Sequence, residues 1–239
     1  MDKSIASFDD IENSKFILIL SDVFGESSLI GRRVIKAKEN GAEIVSVNYE
    51  EKDIIRLNSD KFIKINNFSE FLKNMDEEIL KKLDENSIII FNKLTNQEDI
   101  DLVYSISEKT KCKLLPVLKH CNTMGAMKLL PPLNKDELLE LIKNVKCLYI
   151  MGENPAMCNG DVLKSLDFLI TQSIIMNETC NLSNVVLPAS CWAEKDGTFT
   201  NTEGKTQKIN KIVGAPGDAI PDNEIIVKLA EKMGLDLKE

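Results

Sequence analysis

Apolar residues along this chain follow two patterns. Short unbroken apolar runs recur: Lys15-Phe-Ile-Leu-Ile-Leu20, Glu43-Ile-Val-Ser-Val47, Lys61-Phe-Ile-Lys-Ile65, Ser87-Ile-Ile-Ile-Phe91, Lys113-Leu-Leu-Pro-Val117, Cys147-Leu-Tyr-Ile-Met151, Leu166-Asp-Phe-Leu-Ile-Thr171 and Asn184-Val-Val-Leu-Pro188. Runs of this length bounded by turn residues predict strands buried on both faces of a parallel sheet. Between them apolar residues recur at helical spacing. Leu29, Ile30, Val34 and Ala37 predict a buried helix stripe, with Gly41 as its cap. Phe68, Phe71, Leu72, Met75, Ile79, Leu80 and Leu83 predict a second helical stretch. Ile100, Val103, Tyr104 and Ile106 predict a third, residues 136–144 a fourth, and residues 222–233 a last one ending at Gly234.

Strands alternating with helices predict an α/β fold with right-handed crossovers. The expected architecture is two Rossmann-like three-layer lobes with mainly parallel sheets, residues 1–132 and 133–239. The break at Leu130-Pro-Pro-Leu133 sets the boundary. Residues 1–13 are polar and are expected to be loosely held. Residues 119–125 and 194–204 read as loops, and residues 205–213 as an extended or hairpin segment. The loops that follow parallel strands collect at one sheet edge, where open α/β folds bind ligands. The stretch 147–207 concentrates such loops.

Charge and composition remove several classes of function. Of 239 residues 43% are hydrophobic, enough for two real cores, and the net charge is −8. An acidic chain with no Lys/Arg cluster offers nothing to nucleic acid. No apolar run approaches the roughly 20 residues of a membrane span, and the N-terminus carries no signal-peptide core, so a cytoplasmic protein is expected. The six cysteines form no C-x-x-C pair, so they read as reduced thiols buried in the core. His120 stands alone, which excludes a His-rich metal site. The βαβ unit at 15–47 lacks G-x-G-x-x-G, and no P-loop is present. Glu50 and Glu51, and likewise Glu194, Asp196 and Glu203, read as solvated loop carboxylates.

Several motifs together point further. They are Tyr149-Ile-Met-Gly-Glu-Asn-Pro155, Leu166-Asp-Phe-Leu169, Asn177-Glu-Thr179, Val185-Val-Leu-Pro-Ala189 and Ala193-Glu-Lys-Asp-Gly-Thr-Phe-Thr-Asn-Thr-Glu-Gly204, with Gln207. In this order and spacing the chain resembles large subunits of the molybdopterin oxidoreductase family, namely formate dehydrogenases and the iron–sulfur large subunit of NADH:quinone oxidoreductase. Asn122-Thr-Met-Gly-Ala126 and Leu130-Pro131 extend the resemblance into the first lobe. Family members clasp a bis-pyranopterin guanine dinucleotide that holds molybdenum or tungsten. The resemblance implies that Gly152, Glu153, Asn154 and Pro155 form one dinucleotide-facing loop, and that Gln172, Glu178 and Thr179 form another. It implies no catalytic residue and no metal ligand on this chain. The cluster-binding segment, the metal-ligating cysteine or selenocysteine and the closing barrel are not found in this sequence. Asp22-Val-Phe-Gly25 stands where relatives have a Gly-Ser-Asn-like loop, and Asn48-Tyr-Glu50 where they have Asp-Pro-Arg.

The expectation is therefore a non-catalytic structural module of a soluble NADH- or ferredoxin-linked redox complex. It would carry no cofactor of its own and dock to iron–sulfur and flavoprotein subunits. The alternative is half of a split formate-dehydrogenase-type enzyme, sharing a molybdopterin guanine dinucleotide with a partner chain.

Overall fold

The computed structural model describes residues 5–92, 94, 96–118, 120–130 and 133–237. Pro131 and Pro132, on which the expected break and boundary fall, lie outside the described residues. The chain groups into two compact units, Met1–Ala126 with Thr200–Thr206, and Met127–Phe199 with Gln207–Glu239.

The first unit runs α1 (Phe8–Asn13), β1 (Phe16–Leu20), α2 (Val23–Glu26), α3 (Ser28–Glu39), β2 (Glu43–Asn48), α4 (Asp53–Asn58), β3 (Lys61–Lys64), α5 (Phe68–Lys73), α6 (Glu77–Lys82), β4 (Ser87–Phe91), α7 (Gln97–Thr110), β5 (Lys113–Pro116) and the start of α8 (Thr123–Leu129). Its five strands pair in parallel in the order β3-β2-β1-β4-β5. β1 is buried along its whole length. Because successive side chains alternate across a strand, Ile17 and Ile19 enter one cluster with Ile44, Ile88 and Ile90. Phe16, Leu18 and Leu20 enter the other, with Val45, Val47 and Ile89. Val34 and Ala37 of α3 close the first cluster, while Phe68, Leu72, Ile79 and Val103 of α5, α6 and α7 close the second. Each fully buried Ile or Leu contributes roughly 1.5–3 kcal/mol.

Several local expectations need correction, and α8 begins inside the predicted loop at 119–125. Residues 1–13 are not uniformly loose: Ser7 and Asp10 form a reciprocal capping box on α1, and Ala6 and Ile11 are completely buried. Leu29 is 79% exposed, and Gly31 takes its place on the buried face of α3, where a Cβ would lie 3.0 Å from Phe24 Cα. The helical stretch at 68–83 is two helices, because Asp76 caps a new N-terminus at Glu78 N–H. The cysteines are mostly not core thiols: Cys112 and Cys180 are buried, whereas Cys121, Cys147 and Cys158 are exposed.

The second unit comprises α9 (Lys135–Lys143), β6 (Cys147–Met151), α10 (Ala156–Lys164), β7 (Phe168–Ser173), α11 (Glu178–Leu182), β8 (Val185–Pro188), a 3₁₀ turn at Trp192–Glu194, β9 (Gly197–Thr200), β10 (Thr206–Ile209) and α12 (Asp222–Lys232). β6, β7 and β8 form a parallel sheet in chain order. Ile150, Leu163 and Leu169 form its core, with Leu148, Ala156 and Leu166 against them. β9 and β10 pair with each other, so the expected loop at 194–204 contains a strand. The hairpin tip, residues 200–206, belongs to the first unit.

Candidate functional site

The loops after β6 and β7 meet at the C-terminal edge of the second unit's sheet. Gly152 turns the chain out of β6 with φ +70°, a left-handed conformation that glycine adopts freely. Its N–H donates to the Gln172 carbonyl at 2.9 Å, extending the β6–β7 ladder by one bond. Glu153 is exposed. Pro155 precedes α10, and its carbonyl accepts from Cys158 and Asn159 N–H.

Asn154 ties this loop to the start of α11. Its Oδ1 accepts from Thr179 N–H at 3.1 Å and from Thr179 Oγ1 at 2.8 Å, and its Nδ2 donates to Glu178 Oε2 at 2.6 Å. Thr179, wholly buried, accepts in turn from Ala156 N–H at 3.0 Å. The N-cap residue Asn177 accepts from Cys180 N–H at 3.0 Å. Helix starts leave backbone donors unpaired, and here two asparagines, one of them from a different loop, divide the donors of α11 between them. The Asn154 hydrogen bond also holds the Glu178 carboxyl below the usual carboxylate range, helped by the residue's own backbone N–H.

Gln172 sits apart from this clasp. It is wholly buried, and its amide bridges two groups: Tyr149 Oη donates to Gln172 Oε1, and Gln172 Nε2 donates to Asp222 Oδ1. Lys195 Nζ pairs with the other Asp222 oxygen and lies 3.3 Å from the Ser190 carbonyl. Burial, and then the Asp222 charge, push the Tyr149 phenol up. The sequence-predicted residues thus fall into two groups: Asn154, Glu178 and Thr179 interlock, while Gln172 anchors a second network. Sequence reasoning missed Tyr149, Lys195 and Asp222. Lys195 lies inside a quoted motif, and Asp222 is the first residue of α12, but nothing in their spacing links them to Gln172.

The acidic residues of the hairpin region are not merely solvated. Glu194 accepts from Cys191 N–H at 2.8 Å, Asp196 from Lys211 N–H at 3.1 Å, and Glu203 from Phe8 N–H at 2.8 Å. Within the first unit, the motifs around Asn122 and Thr200 form a single assembly. Asn122 Oδ1 accepts from Thr200 N–H at 2.9 Å, and Gly125 lies so close that a Cβ there would sit 2.4 Å from Asn122 Oδ1.

The first unit has a switch point of its own. Strand order reverses between β1 and β4, the position at which open parallel sheets leave a crevice. Ser21 and Asn92 follow these two strands, and Ser21 Oγ and Asn92 Oδ1 are buried with no partner among the described residues. Asp22, 1% exposed, accepts from Gly25 N–H at 2.9 Å and from Lys52 Nζ at 2.7 Å. Among the described residues, no group of three or more His, Cys, Asp or Glu is placed to hold a metal ion, and no helix is long and apolar enough to cross a membrane.

The model of the family described as molybdopterin oxidoreductase matches residues 2–232. The chain belongs to the molybdopterin oxidoreductase family. Among curated relatives it is 35% identical to the F420-dependent formate dehydrogenase subunit alpha of Methanocaldococcus jannaschii, over 328 residues that cover 95% of this chain and 49% of the relative. It is 56% identical over 98 residues to F420-dependent formate dehydrogenase 2 subunit alpha of Methanococcus maripaludis, covering 38% of this chain and 14% of the relative. Acetylene hydratase from Pelobacter acetylenicus shares the fold, with TM-score 0.64 at 13% identity, covering 97% of this chain and 48% of that one. The chain spans about half the length of the M. jannaschii relative. The 328 aligned positions exceed the 239 residues here, so at least 89 positions of that relative have no counterpart in this chain.

Proposed function

We propose that this chain is a structural module of a redox complex related to the formate dehydrogenases, and that it does not itself carry the pterin cofactor. The observation that carries this reading is the Asn154–Glu178–Thr179 clasp. A dinucleotide needs free donors for its diphosphate. At this edge the N–H groups of Gly152, Ala156, Thr179 and Cys180 are all taken internally. These four donors are therefore not available to a diphosphate in this arrangement. The internal positions that a relative has and this chain lacks support the same reading. The module's role would be to present its two units to iron–sulfur and flavoprotein subunits of a soluble NADH-, F420- or ferredoxin-linked assembly.

One observation favours a second reading. The Glu178 carboxylate is exposed at the same edge, where it is accessible to the donor edge of a guanine. In that reading the chain is one wall of a bis-molybdopterin guanine dinucleotide site. Gly152, Glu153, Asn154, Pro155 and Glu178 face the cofactor, Gln172 and Thr179 support them from within, and a partner chain completes the site. A native pull-down of the chain from its own cell, with metal and guanine analysis of the eluate, separates the two. Iron and flavin with no molybdenum or tungsten support the structural module. Molybdenum or tungsten near one per chain, with guanine released on acid treatment, replaces it with the split enzyme.

A further inference from the structure

The turn after β1 holds a negative charge of its own. Asp22 is almost completely buried, and a carboxylate in that position is costly unless donors surround it. It has two of them. One is the Gly25 N–H, from the turn that follows β1; the other is the Lys52 ammonium, from the loop that follows β2. These are the backbone donor and the cation that an incoming diphosphate would need at this edge. We propose that Asp22 is a built-in anion occupying the place of a ligand phosphate at the first unit's switch point, so that this edge refuses the diphosphate of a pterin dinucleotide.

The surrounding geometry agrees. A Cβ on Gly25 would lie 2.9 Å from Asp22 Oδ2, and one on Gly31 would lie 3.0 Å from Phe24 Cα. Both glycines therefore permit close internal packing of the turn, rather than a ligand's approach to the backbone. α2 is a single turn of four residues, too short to offer a helix-end anion site. Of the partnerless atoms at this edge, Asn92 Oδ1 is an acceptor and offers nothing to a diphosphate, which leaves Ser21 Oγ as a single neutral donor. The inference goes beyond the reading of the second unit and does not depend on it.

The test uses the full chain and two probes, sodium pyrophosphate and GDP, each against sodium chloride of equal ionic strength. A ligand that binds only the folded state raises the melting temperature. The wild type is expected to show no rise with either probe. Asp22→Asn keeps an oxygen for Gly25 N–H but removes the buried charge that pairs with Lys52, and is expected to gain a pyrophosphate-dependent rise. The double variant Asp22→Asn/Lys52→Ala is expected to lose it. A rise in the wild type that Lys52→Ala abolishes overturns the proposal, and so does a folded Asp22→Asn that gains nothing. If Asp22→Asn does not fold, the carboxyl ¹³C resonance of Asp22 in the wild type decides. It should stay fixed as pyrophosphate is added, and a saturable shift overturns the proposal. Guanine and molybdenum in the native complex, together with a wild type that ignores pyrophosphate, would end the structural-module reading and leave this inference standing.

Discussion

Replacing Asn154 with alanine asks whether this residue is a cofactor contact or part of the fold. The substitution removes three hydrogen bonds at once. The bond to Glu178 lies in solvent, and its loss matters little to stability. The other two involve Thr179, which is wholly buried. Leaving its N–H without an acceptor costs about 1–3 kcal/mol, and losing the hydroxyl bond costs roughly 1 kcal/mol more. The sum, about 2–4 kcal/mol, corresponds to a fall in melting temperature on the order of 4–16 °C for a chain of this size. Calorimetry on the cofactor-free protein measures it directly. If Asn154→Ala melts within about 1 °C of the wild type with unchanged circular dichroism, the clasp is not structural and the reasoning fails. Asn154→Asp adds a second arm: it keeps the oxygen that Thr179 needs but sets a carboxylate against Glu178. In the wild type the Glu178 carboxyl is lowered, first by the Asn154 hydrogen bond. Its contribution is therefore present above the ordinary carboxylate range and is lost as pH falls through the lowered value. In Asn154→Asp the repulsion is relieved as pH falls and one carboxylate of the pair takes a proton. The two proteins should converge in stability in acid and diverge near neutrality.

Three further outcomes are expected. Gly125→Ala places a methyl group against Asn122 Oδ1 and Thr200 Oγ1 and should destabilise by about 1–3 kcal/mol; adding Asn122→Ala should cost less in that background than alone, as a double-mutant cycle by urea unfolding would show. Gln172→Leu strands Tyr149 Oη and Asp222 Oδ1 and should cost about 2–3 kcal/mol, whereas a melting temperature equal to the wild type would show that water or Lys195 replaces the amide. Ile17→Ala, at a wholly buried position of the central strand, should cost about 2–5 kcal/mol by equilibrium unfolding.

The strands of the first unit were legible because burial on both faces leaves an unbroken apolar run, as at Ser87–Phe91. Helix limits were less so. The apolar period continues through Met75, while the C-cap at Asn74 ends one helix and the cap at Asp76 starts the next. The short α4 carries one buried residue, Ile55, too few to leave a period. At the candidate site, motif spacing pointed to Asn154, Glu178 and Thr179 without revealing that they contact one another. That contact depends on two loops meeting beyond adjacent parallel strands. The Tyr149–Gln172–Asp222–Lys195 network was less accessible still, because Gln172 and Asp222 lie 50 positions apart and share no periodicity. Asp22 could be seen to depart from relatives, but its pairing with Lys52 could not be read from sequence.

The hairpin tip has a consequence for how the protein is made. Phe8 N–H finds its acceptor on Glu203, 195 positions later, and the tip residues 200–206 complete the unit that begins the chain. On a ribosome, Ala126 emerges about 80 residues before Thr206. At roughly 5–20 residues per second the first unit waits about 4–16 s for its last piece. During that interval the start of α1 and the Asn122 turn lack their partners, and the nascent chain offers those groups to chaperones or to other chains. Slowing translation between residues 126 and 206 should therefore affect yield more than slowing it after 206.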